Sequence, residues 1–262
     1  DEHNRFAGSD NMAAPWNAPA EGAIATMNGF VADYISFFTW EQGRQPTYDE
    51  YAQIMQHYAP EQVPVLSGLA REFGVFDHWF SEVPSQTYMN RSFWTAATCT
   101  PLPTGGTINN PSSHWTKNNT AETIFERLEA HGKTWKVYIK EPACSSFTGF
   151  IHWAKLKDRF ATNFVPFEQF KEDAANGTLP TFSLIEPNLM LGHGDYHPAL
   201  GMSLVQGVDI PGTDPPSSIL SGEAFLEEVF TTYRGMTSES GSNVYNTTLF
   251  VGWDEPGGTY DH

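Results

Sequence analysis

The chain is poor in the residues that mark several common functional classes. Only Cys99 and Cys144 are cysteine among 262 residues, which excludes a cysteine-built metal site and allows one disulfide at most. Lysine and arginine number 14 against 31 aspartates and glutamates, for a net charge of −17. Such a surface disfavours nucleic acid and repels an anionic membrane. No apolar run approaches the ~20 residues that would cross a bilayer, and neither an internal repeat nor a low-complexity linker interrupts the sequence. A signal peptide is also missing, yet the first residue is Asp1 and not Met, so removal of an N-terminal segment is expected.

What is present suits one large packed domain or two small ones: 40% of residues are apolar and 14% aromatic. Little lysine, much Asn, Thr, Gly and Trp, and sequons at Asn118, Asn176 and Asn246 point to a secreted or periplasmic protein. In that setting Cys99 and Cys144 are expected to form a disulfide. An acidic chain that handles phosphate would need a metal ion to offset repulsion.

Gly8 to Gly22 reads as a surface loop. Thr47 and Glu50 have capping-box spacing and open a helix over "YDEYAQIMQHYA". "GVFDHWF" (74–80) reads as a buried strand and "NRSFWTAAT" as the helix after it, with Asn90 as its cap. "TAETIFERLEAHG" is an amphipathic helix with Ile124, Phe125 and Leu128 on one face and Gly132 as its stop. "TWKVYI" and "TFSLIE" read as strands, "PFEQFKEDAANG" and "GEAFLEEVFTTYRG" as helices, and "NTTLFVGW" as a last strand. Helices alternating with short strands buried on both sides imply a largely parallel sheet. Ligands of such sheets bind beyond the strands' carboxyl ends. Thr87, Glu186 and the Asp254–Glu255 pair all fall there.

Asp254 and Glu255 supply hard oxygens suited to a divalent cation, and Gly257-Gly258 allows close approach of the backbone. In "EVPSQTYMNR" the hydroxyls of Ser85, Thr87 and Ser92 are candidate nucleophiles, and local chemistry does not choose among them. His193 and His197, in "GHGDYHP", could hold an oxyanion or protonate a leaving oxygen. His78, His131 and His152 read as structural or surface residues.

Together these pieces resemble the phosphoesterase family of bacterial and plant phospholipases C and acid phosphatases. The resemblance rests on "GVFDHWFSEVPSQTYMNRSFWTAAT", "TIFERLEAHGKTWKVY", "GTLPTFSLIEPN", "DYHP", "SGEAFLEEVF" and "TLFVGWDEPGGTYDH", in that order over nearly the whole chain. It implies an α/β domain over 1–262 of the alkaline-phosphatase-like type, a three-layer α/β/α sandwich with a mostly parallel sheet. Thr87 then matches the nucleophile, ahead of Asn90-Arg91, and Asp254 and Glu255 the acidic metal ligands. His197 matches the family's H-P histidine, and His3 in "DEHNRF" a phosphate-contacting one. Asn90, Arg91 and His193 stand beside them as substrate-binding candidates.

Three departures accompany the match. Tyr88-Met89 replaces a residue followed by Pro, Pro256 replaces a His, and the family's opening Glu-Asn pair of metal ligands has no counterpart. The expectation is therefore a domain truncated at both ends that by itself holds its metal weakly. The implied activity is metal-dependent hydrolysis of a phosphate ester, phospholipid or soluble, through a phospho-threonine, with the metal's identity open. The alternative is a non-catalytic binding or surface-assembly protein on the same fold.

Overall fold

A computed structural model of the chain describes residues 29–83, 87–99, 113–142, 145–189, 194–196 and 218–255. These fall into two units, one holding 29–58 and Glu255, the other 59–254. Gly8–Gly22 lies outside the described residues.

In the smaller unit, α1 spans Phe30–Gln42 and α2 spans Tyr48–Ala52. The expected capping box is formed, with the Glu50 carboxylate accepting the Thr47 N–H at 2.7 Å and the Thr47 hydroxyl accepting the Glu50 N–H at 3.4 Å. The helix is shorter than its sequence pattern and tightens into a 3-10 turn over Gln53–Met55.

The larger unit begins with α3 (Pro64–Glu72) and α4 (Thr87–Ala96), then α5 (Ser113–Lys117) and α6 (Ile124–Ala130). Strand β1 (Trp135–Ile139) leads to the short helices α7 (Phe147–Ile151), α8 (Trp153–Leu156) and α9 (Phe160–Asn163). Strand β2 (Phe164–Pro166), α10 (Phe167–Asn176), β3 (Phe182–Glu186) and α11 (Ile219–Arg234) follow. The fold is α/β. Its sheet has the order β2–β1–β3, with both pairings parallel and Ile139 level with Glu186 at the carboxyl end.

Alternation along β1 explains why the sheet is apolar on both faces. Trp135, Val137 and Ile139 pack with Phe125, Leu156 and Phe164, while Tyr138 packs with Phe167, Phe170 and Val229. Asp173 ties α10 to β1 by accepting Lys136 Nζ at 2.6 Å and the Tyr138 hydroxyl at 2.7 Å. Helix α6 carries the Thr123–Glu126 capping box and is followed by Gly132 at φ 65, the left-handed stop its sequence suggests.

Four expectations are corrected. Residues 74–80 and 246–253 form no strand. Neither has a ladder partner among the described residues, so Phe76, Trp79 and Phe250 meet by their rings instead. Strand β2 is absent from the sequence reading because three residues ending in Pro166 carry no readable period. Helix α4 starts at Thr87, so Asn90 is an interior residue and not its cap. Cys99 is a free thiol buried with Met89, Trp115 and Ile151, and Cys144 lies outside the described residues.

His152 is fully buried in a polar network behind α4. Its Nδ1 faces the Asn119 amide donor at 3.3 Å, so Nε2 carries the proton and donates to Thr95 Oγ1 at 2.6 Å. Thr95 passes the chain on to the Arg91 carbonyl at 2.7 Å. Burial pushes the His152 pKa down to about 4, against attraction by Glu126. The unfolded imidazole takes its proton near pH 6.5, so between pH 6.5 and 4 the unfolded state binds a proton the native state refuses. Stability is expected to fall by about 3 kcal/mol across that window as pH falls. Urea midpoints at pH 7 and 4.5 test this. A His152→Gln chain showing the same pH slope would remove His152 as the cause.

Candidate active site

Thr87 is the first residue of α4, where the helix's unpaired N–H groups and positive end favour an anion. Asn90 is fully buried and grips the segment leading into the helix, donating to the Val83 carbonyl and accepting the Val83 N–H, both at 3.0 Å. Ser92 is buried too, its hydroxyl donating to the Thr98 carbonyl at 2.7 Å. Of the three candidate hydroxyls, Thr87 lines a cleft, Ser92 is committed to the Thr98 carbonyl just past α4, and Ser85 lies outside the described residues.

Arg91 lies one turn after Thr87, on the same face of α4. Its side chain is 17% exposed, and it joins segments far apart in sequence. Nε donates to Asp254 Oδ2 at 2.8 Å, and Nη1 to Glu186 Oε1 at 3.2 Å. The guanidinium stands 5.6 Å from the Phe147 ring centre. Burial alone would lower its pKa, but attraction to Asp254, Glu186 and Asp195 outweighs this and raises it. Arg91 is therefore a permanent cation.

Glu186, at the end of β3, is 1% exposed. Its Oε1 also accepts the Thr148 hydroxyl at 2.6 Å and the Thr148 N–H at 3.0 Å, at the start of α7. Its Oε2 is buried without a hydrogen-bond partner among the described residues. Thr87, Arg91, Glu186, Asp195, Tyr196 and Asp254 all line one cleft of about 1250 Å³. Phe80, Trp94 and Trp253 contribute apolar wall.

The structure thus brings Thr87, Arg91 and Asp254 together. Asn90 stands behind them, turned into the protein. Glu255 is grouped with the smaller unit, and His3, His193 and His197 lie outside the described residues. The Arg91–Asp254 pairing spans 163 positions and left no local trace in the sequence. Glu186 did leave one, as a carboxylate closing a largely apolar strand.

A family model described as "Phosphoesterase family" matches residues 10–262. The chain belongs to the phosphoesterase family. Among curated members of similar sequence, "Non-specific phospholipase C3" of Arabidopsis thaliana is 31% identical over 214 residues, which are 80% of this chain and 35% of that protein. "Non-specific phospholipase C6" of the same plant is 30% identical over 245 residues, covering 92% and 40%. "Phospholipase C B" of Mycobacterium tuberculosis (strain ATCC 25618 / H37Rv) is 26% identical over 223 residues, covering 79% and 38%. The chain spans well under half the length of these phosphoesterases.

Proposed function

We propose that the protein hydrolyses phosphate esters, phospholipids included, with Thr87 as nucleophile. One observation carries this reading: Thr87 heads a helix whose next turn presents Arg91, and Arg91 holds Asp254 and Glu186 in the same cleft. The phospholipase C names of the relatives support the ester class.

The donors present suit a divalent metal ion in kind. Asp254 and Thr87 line the cleft with oxygen donors, and the family resemblance alone proposes Glu255 as a further carboxylate ligand. Among the described residues no group of three or more acidic, histidine or cysteine side chains is gathered for an ion, so the remaining ligands would come from elsewhere. When bound, the metal would lower the pKa of the Thr87 hydroxyl and offset phosphate charge.

The work of the chain's own residues follows. The α4 N-terminus draws the phosphate toward Thr87. Thr87 Oγ attacks phosphorus as the ester P–O bond breaks, giving a phospho-threonine and an alcohol that takes up a proton. Water then cleaves the phospho-threonine, restoring the hydroxyl and releasing the phosphorylated product. His197 is the proposed proton donor and His193 and His3 further phosphate partners. Arg91, committed to carboxylates, orients Asp254 more than it grips substrate. The proposed sandwich is the family's three-layer α/β/α arrangement around the parallel sheet, and the low-lysine, acidic composition supports export.

The test is hydrolysis of a phosphatidylcholine and of a soluble phosphomonoester by the full-length protein. Expected is turnover that a chelator removes and a divalent metal restores. Turnover unchanged by the chelator would overturn metal dependence, and no turnover of either ester with any metal would leave the non-catalytic reading.

A further inference from the structure

Glu223, near the start of α11, is 5% exposed and gathers three donors from distant segments. Its Oε2 accepts the Val65 N–H at 2.5 Å and its Oε1 the Leu66 N–H at 3.1 Å. These are the second and third residues of α3, whose own N-terminus has no side-chain cap. Two N–H groups would satisfy a capping role. The third donor comes from the cleft, where the Tyr196 hydroxyl gives a 2.6 Å bond to Oε1.

Tyr196 is held where a tyrosine does not go unaided. Its φ is 63, in the left-handed region that costs a non-glycine residue about 1 kcal/mol or more. Its ring lies on the bare Cα of Gly222, one residue before Glu223, and a Cβ there would come within 2.5 Å of ring carbon. The ring's other neighbour is Trp253, edge to face at 6.0 Å, and Trp253 precedes Asp254. Two residues back, the Gly194 N–H donates to the Asn188 carbonyl at 2.9 Å. Asp195 sits between these two fastenings and lines the cleft with Arg91.

We infer that Gly222 and Glu223 are positioning residues of the active site, which act through Tyr196 to hold Asp195 beside the Arg91–Asp254 pair. A third carboxylate at that pair makes the charge around Arg91 more negative and so tunes how a phosphate or a cation is received. Its consequence for turnover rests on the hydrolase reading, but the geometry does not.

The experiment uses Tyr196→Phe and Gly222→Ala in the full-length protein, with Leu220→Ala, at a 64% exposed position of the same helix, as control. The NMR signal of the Arg91 Nε–H is followed. Both variants should move this signal, and the control should not. Turnover of the phosphate ester should fall about 10- to 100-fold in kcat, with KM little changed. Slow exchange of the Val65 and Leu66 amides in Tyr196→Phe would show that the α3 cap survives, so the effect is not general loosening. An Arg91 signal unchanged in Tyr196→Phe overturns the inference, including when Gly222→Ala fails to fold. If the unaltered protein hydrolyses no ester, the functional reading fails and the Arg91 signal alone decides the positioning role.

Discussion

Thr87→Val should reduce phosphate-ester turnover by on the order of 10³-fold or more while the fold persists, as loss of a nucleophile does in enzymes that form covalent intermediates. Valine keeps the β-branched shape at the first position of α4 and removes only the oxygen. The stability change should stay within about 1 kcal/mol, the range of a single half-exposed hydrogen bond. Steady-state kinetics beside a thermal melt separate the two effects. Near-normal turnover would transfer the role to Ser85 or to a water molecule. A melt lowered by tens of degrees would instead show Thr87 to be a structural hydroxyl.

Arg91→Met should be the most damaging substitution to stability in the cleft, at about 3–5 kcal/mol. The magnitude follows from what is left behind. Glu186 is 1% exposed and Asp254 19%, so removing the cation strands one fully buried and one mostly buried carboxylate. Met fills much of the same volume, and therefore charge and not packing should dominate. Adding Glu186→Gln to Arg91→Met should recover part of the loss, a coupling expected only between groups in contact. Denaturant midpoints of the single and double variants measure this. A loss below about 1 kcal/mol for Arg91→Met would mean that the pairs behave as solvent-screened surface ion pairs.

The sequence by itself determined those elements whose signals are local. The capping boxes at Thr47 and Thr123 need only four residues, and both are formed. β1 and β3 were legible because their apolar runs are bounded on both sides, and α10 and α11 because they hold a helical period for ten residues or more. Family membership was legible too, because it rests on six blocks in order and not on any distance.

Only the tertiary structure decided the rest. Residues 74–80 and 246–253 each carry four large apolar side chains, as many as β1, yet a strand exists only where a neighbour accepts its backbone hydrogen bonds, and pairing is not a local property. Asn90 looks like a helix cap in sequence, but its amide reaches back seven residues to Val83, which fixes it inside α4. Arg91 reads as a phosphate ligand in sequence, and only the structure shows its carboxylate partners, 95 and 163 positions away. The same holds for Glu223, whose three donors come from 27 to 158 positions off. Charge pairs of this kind form between segments that the hydrophobic core brings together, so their identity follows from the packing and could not precede it.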